Sequence, residues 1–213
     1  MKVYLNGDYL EDRDACISVF DRGFMFGDGV YEVIPVYGGR LFRLSQHLVR
    51  LKHSLDAIGL PVPLTDAEIT DIFTMLLDGR SADASIYLQI TRGAAPRNHS
   101  FPEGRKATVL AYAQELVYPD ETLRSTGVGA VTLPDQRWHR CDIKSVSLLA
   151  NVLARQYAAE HDAMEAILTR DGYVTEGAAS TMFIVSNGTV VTPPKGHAIL
   201  PGITRDPGSY THL

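Results

Sequence analysis

The chain has 213 residues, of which 45% are hydrophobic, and its formal net charge is −5 at pH 7. This apolar share suits a packed globular protein and excludes a disordered one, while the lack of clustered Lys and Arg excludes nucleic acid and anionic membranes as partners. Cys16 and Cys141 are too few for a disulfide framework and lack metal-ligand spacing, so we expect a cytoplasmic protein without a metal site. No signal peptide or membrane-spanning stretch is evident.

The first half of the chain is typical of short strands, tight turns and two helices. Asn6-Gly7 and Gly38-Gly39 each separate two strand-like runs and predict two-residue hairpins. A helix is predicted from near Ser45, because leucines follow at spacings of three and four. A second is predicted from the capping box Thr65–Glu68. The predicted strands are 3–5, 9–10, 30–37, 40–44, 85–92 and 108–114.

A change of character at Tyr118-Pro119-Asp120 predicts a domain boundary, with an N-terminal domain at 1–118 and a C-terminal domain at 119–213. The second domain is predicted to contain a helix and a meander with turns at Asp171-Gly172 and Asn187-Gly188. The sequence thus favours two α+β lobes, each with a small sheet and helices on one side. The predicted elements here are strands 128–133, 166–170, 173–175, 181–185 and 190–192 and helix 147–161.

Three short segments carry residues that could do chemistry. Lys144 lies between a strand-like segment and a predicted helix, where a buried amine could attack a carbonyl and a solvated lysine would do nothing. Glu176 ends a predicted strand and precedes small residues that let a ligand approach, although it could be an ordinary turn residue. Residues 199–205 form a glycine turn that would lead into a helix, an arrangement that can bind an anion.

Four motifs stand out: DRGFMFGDGVYE at 21–32, RCDIKS at 140–145, TEGAAST at 175–181 and LPGITR at 200–205. Together they resemble the class IV aminotransferases along essentially the whole chain. The resemblance implies a fold type IV α+β enzyme that uses pyridoxal 5'-phosphate, with a small N-terminal α/β sandwich lobe. It also implies a larger C-terminal, cofactor-binding lobe with a mixed sheet or barrel.

The resemblance assigns a cofactor site. Lys144 matches the catalytic lysine that forms a Schiff base with the cofactor, and Glu176 matches the carboxylate that faces the pyridine nitrogen. Arg50 matches a phosphate-binding arginine, although it lies off the apolar stripe of its helix and could equally be solvated. The remaining predicted cofactor-binding residues are Ser180, Leu200, Gly202, Ile203 and Thr204.

A second part of the resemblance concerns the substrate. Arg97-Asn98-His99 lies in a loop after a predicted strand, where both side chains would by default face solvent. An Arg-x-His here is similar to the D-amino-acid enzymes of the family, in which these residues and a tyrosine matching Tyr31 bind the substrate α-carboxylate. A guanidinium can pair with a carboxylate through two parallel hydrogen bonds.

The resemblance therefore implies ping-pong transamination between a D-amino acid, such as D-alanine, and a 2-oxo acid, such as 2-oxoglutarate, by a homodimer. Lys144 would remove the Cα proton of the substrate. The alternatives within the family are a branched-chain or R-amine transaminase and aminodeoxychorismate lyase.

The C-terminal end departs from the family pattern. Eight residues, Asp206–Leu213, follow Arg205, and among them Pro207 and Gly208 would stop a helix that the family continues. We expect a truncated reading frame that lacks the closing part of the second lobe, which would leave apolar surface exposed. An inactive fragment is the non-enzyme alternative.

Overall fold

The structure is a computed structural model that describes residues 1–80, 82–104 and 106–205, and it forms two compact units. Unit 1 consists of Met1–Val117 and Ile143–Ser147, and unit 2 consists of Tyr118–Asp142 and the chain from Leu148 onward.

The segment Ile143–Ser147 belongs to unit 1, although the predicted boundary would place it in the second domain. Its backbone bonds explain this. The amide of Tyr31 donates to the Lys144 carbonyl at 2.9 Å, and the amide of Val146 donates to the Gly29 carbonyl at 3.0 Å. Because both bonds join main-chain atoms, the segment is attached to the sheet of unit 1 through its backbone.

Unit 1 is built on a six-stranded sheet in the order β2-β1-β6-β5-β3-β4, and every pair of neighbours is antiparallel. The fourth strand is shorter than predicted because the following helix already begins at Leu44. The short helix at Arg22–Phe26 was not predicted. The strands are β1 (Lys2–Leu5), β2 (Asp8–Glu11), β3 (Gly29–Tyr37), β4 (Arg40–Leu41), β5 (Ala84–Thr91) and β6 (Thr108–Glu115); the helices are α1 (Arg22–Phe26), α2 (Leu44–Ala57) and α3 (Asp66–Leu77), with a 3₁₀ turn at Asp12–Asp14.

One face of this sheet is buried under α2 and α3. Alternate residues of β3 are fully buried, including Val30 and Ile34, as expected for a strand with one covered face. They join a core that contains Leu55 of α2 and Phe73 of α3, both 0% exposed. Truncating a ring such as that of Phe73 typically costs about 3–5 kcal/mol. The prediction of helices on one side of the sheet is confirmed here.

The predicted local signals in both units are confirmed. Thr65 and Glu68 form the capping box of α3, with the Thr65 amide donating to Glu68 at 2.6 Å. All four predicted two-residue turns connect paired strands, and both residues of each turn have positive φ, the geometry that matches strand twist. The turns are Asn6-Gly7, Gly38-Gly39, Asp171-Gly172 and Asn187-Gly188.

Unit 2 has a mixed three-stranded sheet in which β7 and β8 are parallel and β8 and β9 are antiparallel. The helix α5 connects the two parallel strands, and Ala154 and Ala158 on it pack on the sheet. Within the described residues this sheet has three strands, against six in unit 1. The elements are α4 (Glu121–Thr126), β7 (Ala130–Pro134), α5 (Leu149–Glu160), β8 (Glu165–Arg170), β9 (Tyr173–Gly177), β10 (Ile184–Ser186) and β11 (Thr189–Val191).

The predicted meander at 166–192 is wrong in one respect, since β10 and β11 form a separate two-stranded sheet. The chain turns after β9, where the amide of Gly177 donates to the Ser180 carbonyl at 2.7 Å. The predicted strand at 181–185 therefore begins only at Ile184.

The glycine turn at the end of unit 2 was predicted to lead into a helix. The described residues Ile203–Arg205 form a turn, and the amide of Arg205 donates to the Gly202 carbonyl at 3.2 Å. The tail Asp206–Leu213, including Pro207 and Gly208, lies outside the described residues. In the part of the chain that the structure describes, no helix is long and apolar enough to cross a membrane.

Candidate active site

The backbone of Lys144 is hydrogen-bonded to two residues of unit 1. Its amide donates to the Ser54 hydroxyl of α2 at 3.1 Å, and its carbonyl accepts from the amide of Tyr31. The side-chain nitrogen lies 4.1 Å from the centre of the Tyr31 ring. The lysine is partly buried and Ile143 before it is 5% exposed. The structure thus brings two predicted site residues, Lys144 and Tyr31, together.

Arg50 is buried, so the alternative that it is solvated is wrong. It forms a two-point ion pair with Glu32, with Nε 2.8 Å from Oε1 and Nη2 2.7 Å from Oε2. His47, one turn earlier on α2, lies with Nδ1 2.8 Å from Oε2 of the same carboxylate. Glu32 is 1% exposed, Arg50 8% and His47 4%. The paired guanidinium is fixed in direction, as a phosphate-binding arginine needs to be.

Burial by itself would raise the pKa of Glu32. The hydrogen bonds from Arg50 and His47 outweigh it and lower the pKa, with a further contribution from the charge of Lys144. The sequence reasoning missed Glu32 and His47. A signal was present, since Glu32 alternates with Val30 and Ile34 on the core face of β3, where an acid requires a buried partner.

Tyr31 lies on the other, half-buried face of β3. Its ring stacks on Tyr87 with centroids 5.6 Å apart, and Tyr87 stacks on Tyr112 at 5.1 Å. The proposed substrate-binding tyrosine is therefore the end of a three-ring ladder on one face of the sheet.

Arg97 and His99 are both exposed, as their loop position predicts. The structure brings the two side chains together around one ring. The Phe26 ring of α1 lies 5.4 Å from the Arg97 guanidinium carbon and 5.5 Å from the His99 ring.

In unit 2, Glu176 lies near the end of β9 and is 6% exposed. Its carboxylate accepts a hydrogen bond from Nη1 of Arg137, and each of its oxygens lies 3.1 Å from the backbone amide of Leu200. Burial raises the pKa of Glu176, although the bonds from Arg137 and Leu200 act against the rise. Among the predicted residues, Leu200 and Glu176 are thus brought together.

Arg137 is shared with a second acid. It contacts Asp135 at 2.9 Å, and Arg170 approaches the same oxygen of Asp135 at 3.1 Å. The Asp135 side chain is 0% exposed. Sequence reasoning missed Arg137 and Asp135, because their spacing of two residues on an irregular segment has no periodic signal.

The other predicted cofactor-binding residues lie in two loops of unit 2. A Cβ on Gly202 would lie 2.9 Å from the Thr181 hydroxyl, so a larger residue here would require the Thr181 side chain to move. Ile203 and Thr204 follow in the terminal turn. The hydroxyl of Ser180 donates to the carboxylate of Glu165 at 2.8 Å.

The chain has clear relatives. The family profile described as amino-transferase class IV matches residues 29–207. The D-alanine aminotransferase of Staphylococcus epidermidis is 45% identical over 206 residues, covering 96% of this chain and 73% of that protein. The D-alanine aminotransferase of Bacillus licheniformis is 44% identical, covering 96% of this chain and 72% of that protein.

Solved structures agree in fold. The branched-chain amino acid aminotransferase of Escherichia coli superposes with a TM-score of 0.86 at 25% identity, covering 96% of this chain and 71% of that one. The branched-chain aminotransferase of Thermoproteus uzoniensis, solved with norvaline, has a TM-score of 0.83 at 29% identity, covering 97% of this chain and 72% of that one. This chain belongs to the class IV aminotransferase family.

Proposed function

We propose that this chain transfers an amino group between a D-amino acid, such as D-alanine, and a 2-oxo acid, such as 2-oxoglutarate, in a ping-pong reaction with pyridoxal 5'-phosphate. The observation that carries the proposal is the amine of Lys144, held beside Tyr31 in a chain that is 45% identical to a D-alanine aminotransferase. Lys144 is the residue proposed to bind the cofactor.

The donor groups present fit this cofactor, which has an aldehyde, a phosphate and a pyridine nitrogen. Unit 1 offers the Lys144 amine and the Arg50 guanidinium that Glu32 orients. Unit 2 offers the Glu176 carboxylate and the terminal turn, in which Nη1 of Arg205 is buried without a hydrogen-bond partner among the described residues. When bound, the cofactor supplies an electron-accepting ring that weakens the substrate Cα–H bond.

The protein residues have separate tasks in this proposal. Lys144 would take the Cα proton of the substrate and deliver it to the aldehyde-derived carbon of the cofactor, which requires its neutral amine. Arg50 binds the phosphate, and the two-point bond with Glu32 limits how far the guanidinium can turn.

Glu176 holds the proton on the pyridine nitrogen. Burial raises the pKa of Glu176 and so favours the neutral carboxyl, while the hydrogen bond from Arg137 favours the carboxylate.

Recognition of the substrate carboxylate is assigned to Arg97, His99 and Tyr31. The guanidinium of Arg97 and the ring of His99 are exposed and lie against the same phenylalanine, so both can meet one small anion. Such a pair selects substrates with an α-carboxylate over simple amines.

A branched-chain aminotransferase is the second candidate, favoured by the likeness to the Escherichia coli structure at a TM-score of 0.86. It fits less well, because the identity to that protein is 25% against 45% for the D-alanine enzyme. A homodimer is also part of the proposal, and sedimentation equilibrium of the chain would test it. A cytoplasmic location stays a prediction.

The function is tested by incubating the purified chain and pyridoxal 5'-phosphate with 2-oxoglutarate and either D-alanine or L-leucine. We expect pyruvate and glutamate from D-alanine and little reaction of L-leucine. Preferential use of L-leucine would support the branched-chain candidate, and formation of 4-aminobenzoate from aminodeoxychorismate would indicate a lyase. A chain that is folded but inactive in every assay would refute the proposal and favour the inactive fragment.

A further inference from the structure

Arg22, in the first turn of α1, is bonded to the backbone of the loop that carries Arg97 and His99. Its side chain is 4% exposed. Nη1 donates to the carbonyl of Asn98 at 2.5 Å and to that of Ser100 at 3.4 Å, and Nη2 donates to the carbonyl of His99 at 3.3 Å. One planar guanidinium therefore reaches three consecutive carbonyls, a geometry that a lysine cannot reproduce.

Asp28 fixes the direction of Arg22 and connects it to a second anchor. Its carboxylate accepts from Nε of Arg22 at 2.7 Å and from Nε of Arg92 at 2.8 Å. Burial acts against the charged form of Asp28, but the bonds from Arg92 and Arg22 lower its pKa, so the carboxylate is ionised at neutral pH. Arg92 in turn lies 3.6 Å from the ring centre of Phe101, at the far end of the same loop.

Phe26, in the last turn of α1, contacts the side chains of the loop. Its ring centre lies 4.8 Å from the Arg22 guanidinium carbon and 5.4 Å from that of Arg97, and the His99 ring is tilted by 44° against it. Cations attract the face of an aromatic ring, and each such contact contributes modestly when exposed. The short helix thus holds the loop in two ways. Arg22 bonds to the backbone of the loop, and Phe26 contacts the side chains of the loop.

We propose that Arg22 and Phe26 are positioning residues that set the affinity of this enzyme for the α-carboxylate of its substrate. The inference rests on the proposed function, which assigns carboxylate binding to Arg97 and His99. Both side chains are exposed, and an exposed arginine normally loses conformational freedom when it binds an anion. Contact with Phe26 reduces that loss, because the two side chains are already gathered at one place.

The substitution Phe26→Leu tests the inference against Phe24→Leu, a matched control in the same helix at a ring that is 73% exposed. We expect Phe26→Leu to raise the KM for D-alanine by roughly fivefold, a factor set by the strength of the lost ring contacts, with kcat changed by less than about twofold. The absorbance response of the cofactor-loaded chain to (R)-2-aminobutane, which has an ethyl group in place of the carboxylate, should stay unchanged. Phe24→Leu should match the parent in both measurements.

Hydrogen exchange gives a readout that does not depend on turnover. In the chain without cofactor, Arg22→Lys keeps a charge beside Asp28 but loses the fork across the three carbonyls. We expect faster exchange in the peptide 96–102 than in the parent, and no change for Phe24→Leu.

The outcomes separate the two proposals. If the parent uses D-alanine but Phe26→Leu and Phe24→Leu have the same KM, the positioning role is wrong and the function stands. If the KM rises together with an equal loss of response to the amine, Phe26 has only a structural role and the inference is also wrong. If the folded parent does not use D-alanine, the function and the carboxylate role of the loop are both overturned.

Discussion

Two buried glutamates, one in each unit, accept hydrogen bonds from an arginine and yet have opposite shifts in pKa. The pKa of Glu32 in unit 1 is lowered, whereas that of Glu176 in unit 2 is raised. Both are almost fully buried, at 1% and 6% exposure, so the loss of solvent opposes ionisation in both cases. The difference lies in their partners.

Glu32 accepts hydrogen bonds from two nitrogens of Arg50 and is also bonded to a nitrogen of His47. The charge of Lys144 further lowers its pKa. Glu176 is bonded to one nitrogen of Arg137, and the same guanidinium also forms an ion pair with Asp135. The negative charge of Asp135 further raises the pKa of Glu176. The comparison teaches that the direction of the pKa shift at a buried glutamate follows its partners: Glu32 accepts two hydrogen bonds from Arg50 and has a lowered pKa, whereas Glu176 shares Arg137 with Asp135 and has a raised one.

The largest expected effect concerns Lys144, the amine whose charge favours an ionised Glu32. Lys144→Ala should lower the rate of D-alanine transamination by roughly 10⁴-fold, the upper range for a lost proton-transfer group. The free energy of unfolding should change little, because Arg50 and His47 still pair with Glu32. Stopped assays with urea denaturation check this, and a variant that keeps more than a tenth of the parent rate would contradict the assignment of Lys144.

The next largest effect is on stability. Glu32→Gln breaks the buried ion pair with Arg50, and removing one partner of a buried pair costs about 3–5 kcal/mol. Glu176→Gln should cost roughly 1 kcal/mol, because Arg137 keeps Asp135 as a partner and the amide oxygen can still accept one neutral hydrogen bond. Urea denaturation of both variants at pH 7 compares the two sites. Equal losses would show that sharing of the arginine does not matter.

The pH dependence should separate the two glutamates by sign. The contribution of Glu32 is present above its unfolded pKa, near 4.3, and is lost as the pH falls through the lowered folded pKa. The contribution of Glu176 is present below its unfolded pKa and is lost as the pH rises through the raised folded pKa.

The stability of Glu176→Gln relative to the parent should therefore increase as the pH rises above about 4.3. The deficit of Glu32→Gln should instead shrink as the pH falls below that value. Unfolding free energies between pH 3 and 8 give both slopes, and slopes of the same sign would contradict the comparison.

An exposed ion pair provides a reference for the losses in unfolding free energy at the two buried glutamates. Lys52 and Asp66 lie 2.7 Å apart with side chains that are 45% and 51% exposed. Lys52→Met should change the free energy of unfolding by about 0–1 kcal/mol, because solvent screens such pairs. Denaturation in low and high salt measures it. A loss as large as that of Glu32→Gln would mean that burial is not what distinguishes the glutamate sites.

Local features of the fold could be predicted from the sequence, because their signals lie within a few residues. The turn at Asn6-Gly7 needs positive φ at both positions, and the capping box at Thr65–Glu68 needs a hydroxyl and a carboxylate three apart. The association of Ile143–Ser147 with unit 1 could not be predicted in this way, since it depends on backbone bonds to β3 over a hundred residues earlier.

The residues of the candidate site also differ in how far the sequence could predict them. Lys144, Glu176 and Arg50 were predicted through the resemblance to the family, but the partners Glu32 and Arg137 required three-dimensional contacts. Arg22 meets the carbonyl of Asn98 across 76 positions, and no periodicity within one element reports such a pairing. Alternation along β3 does mark Glu32 as a buried acid, which is the one signal that sequence reasoning could have used.

The central claim, that Lys144 carries the cofactor and meets a D-amino acid, has a direct test. The chain is incubated with pyridoxal 5'-phosphate, reduced with borohydride and digested, and the modified peptide is identified by mass spectrometry. The account predicts one major modified lysine, Lys144, and loss of this modification when D-alanine, but not L-alanine, is added before reduction. Modification of another lysine, or labelling of Lys144 that neither isomer affects, would contradict it.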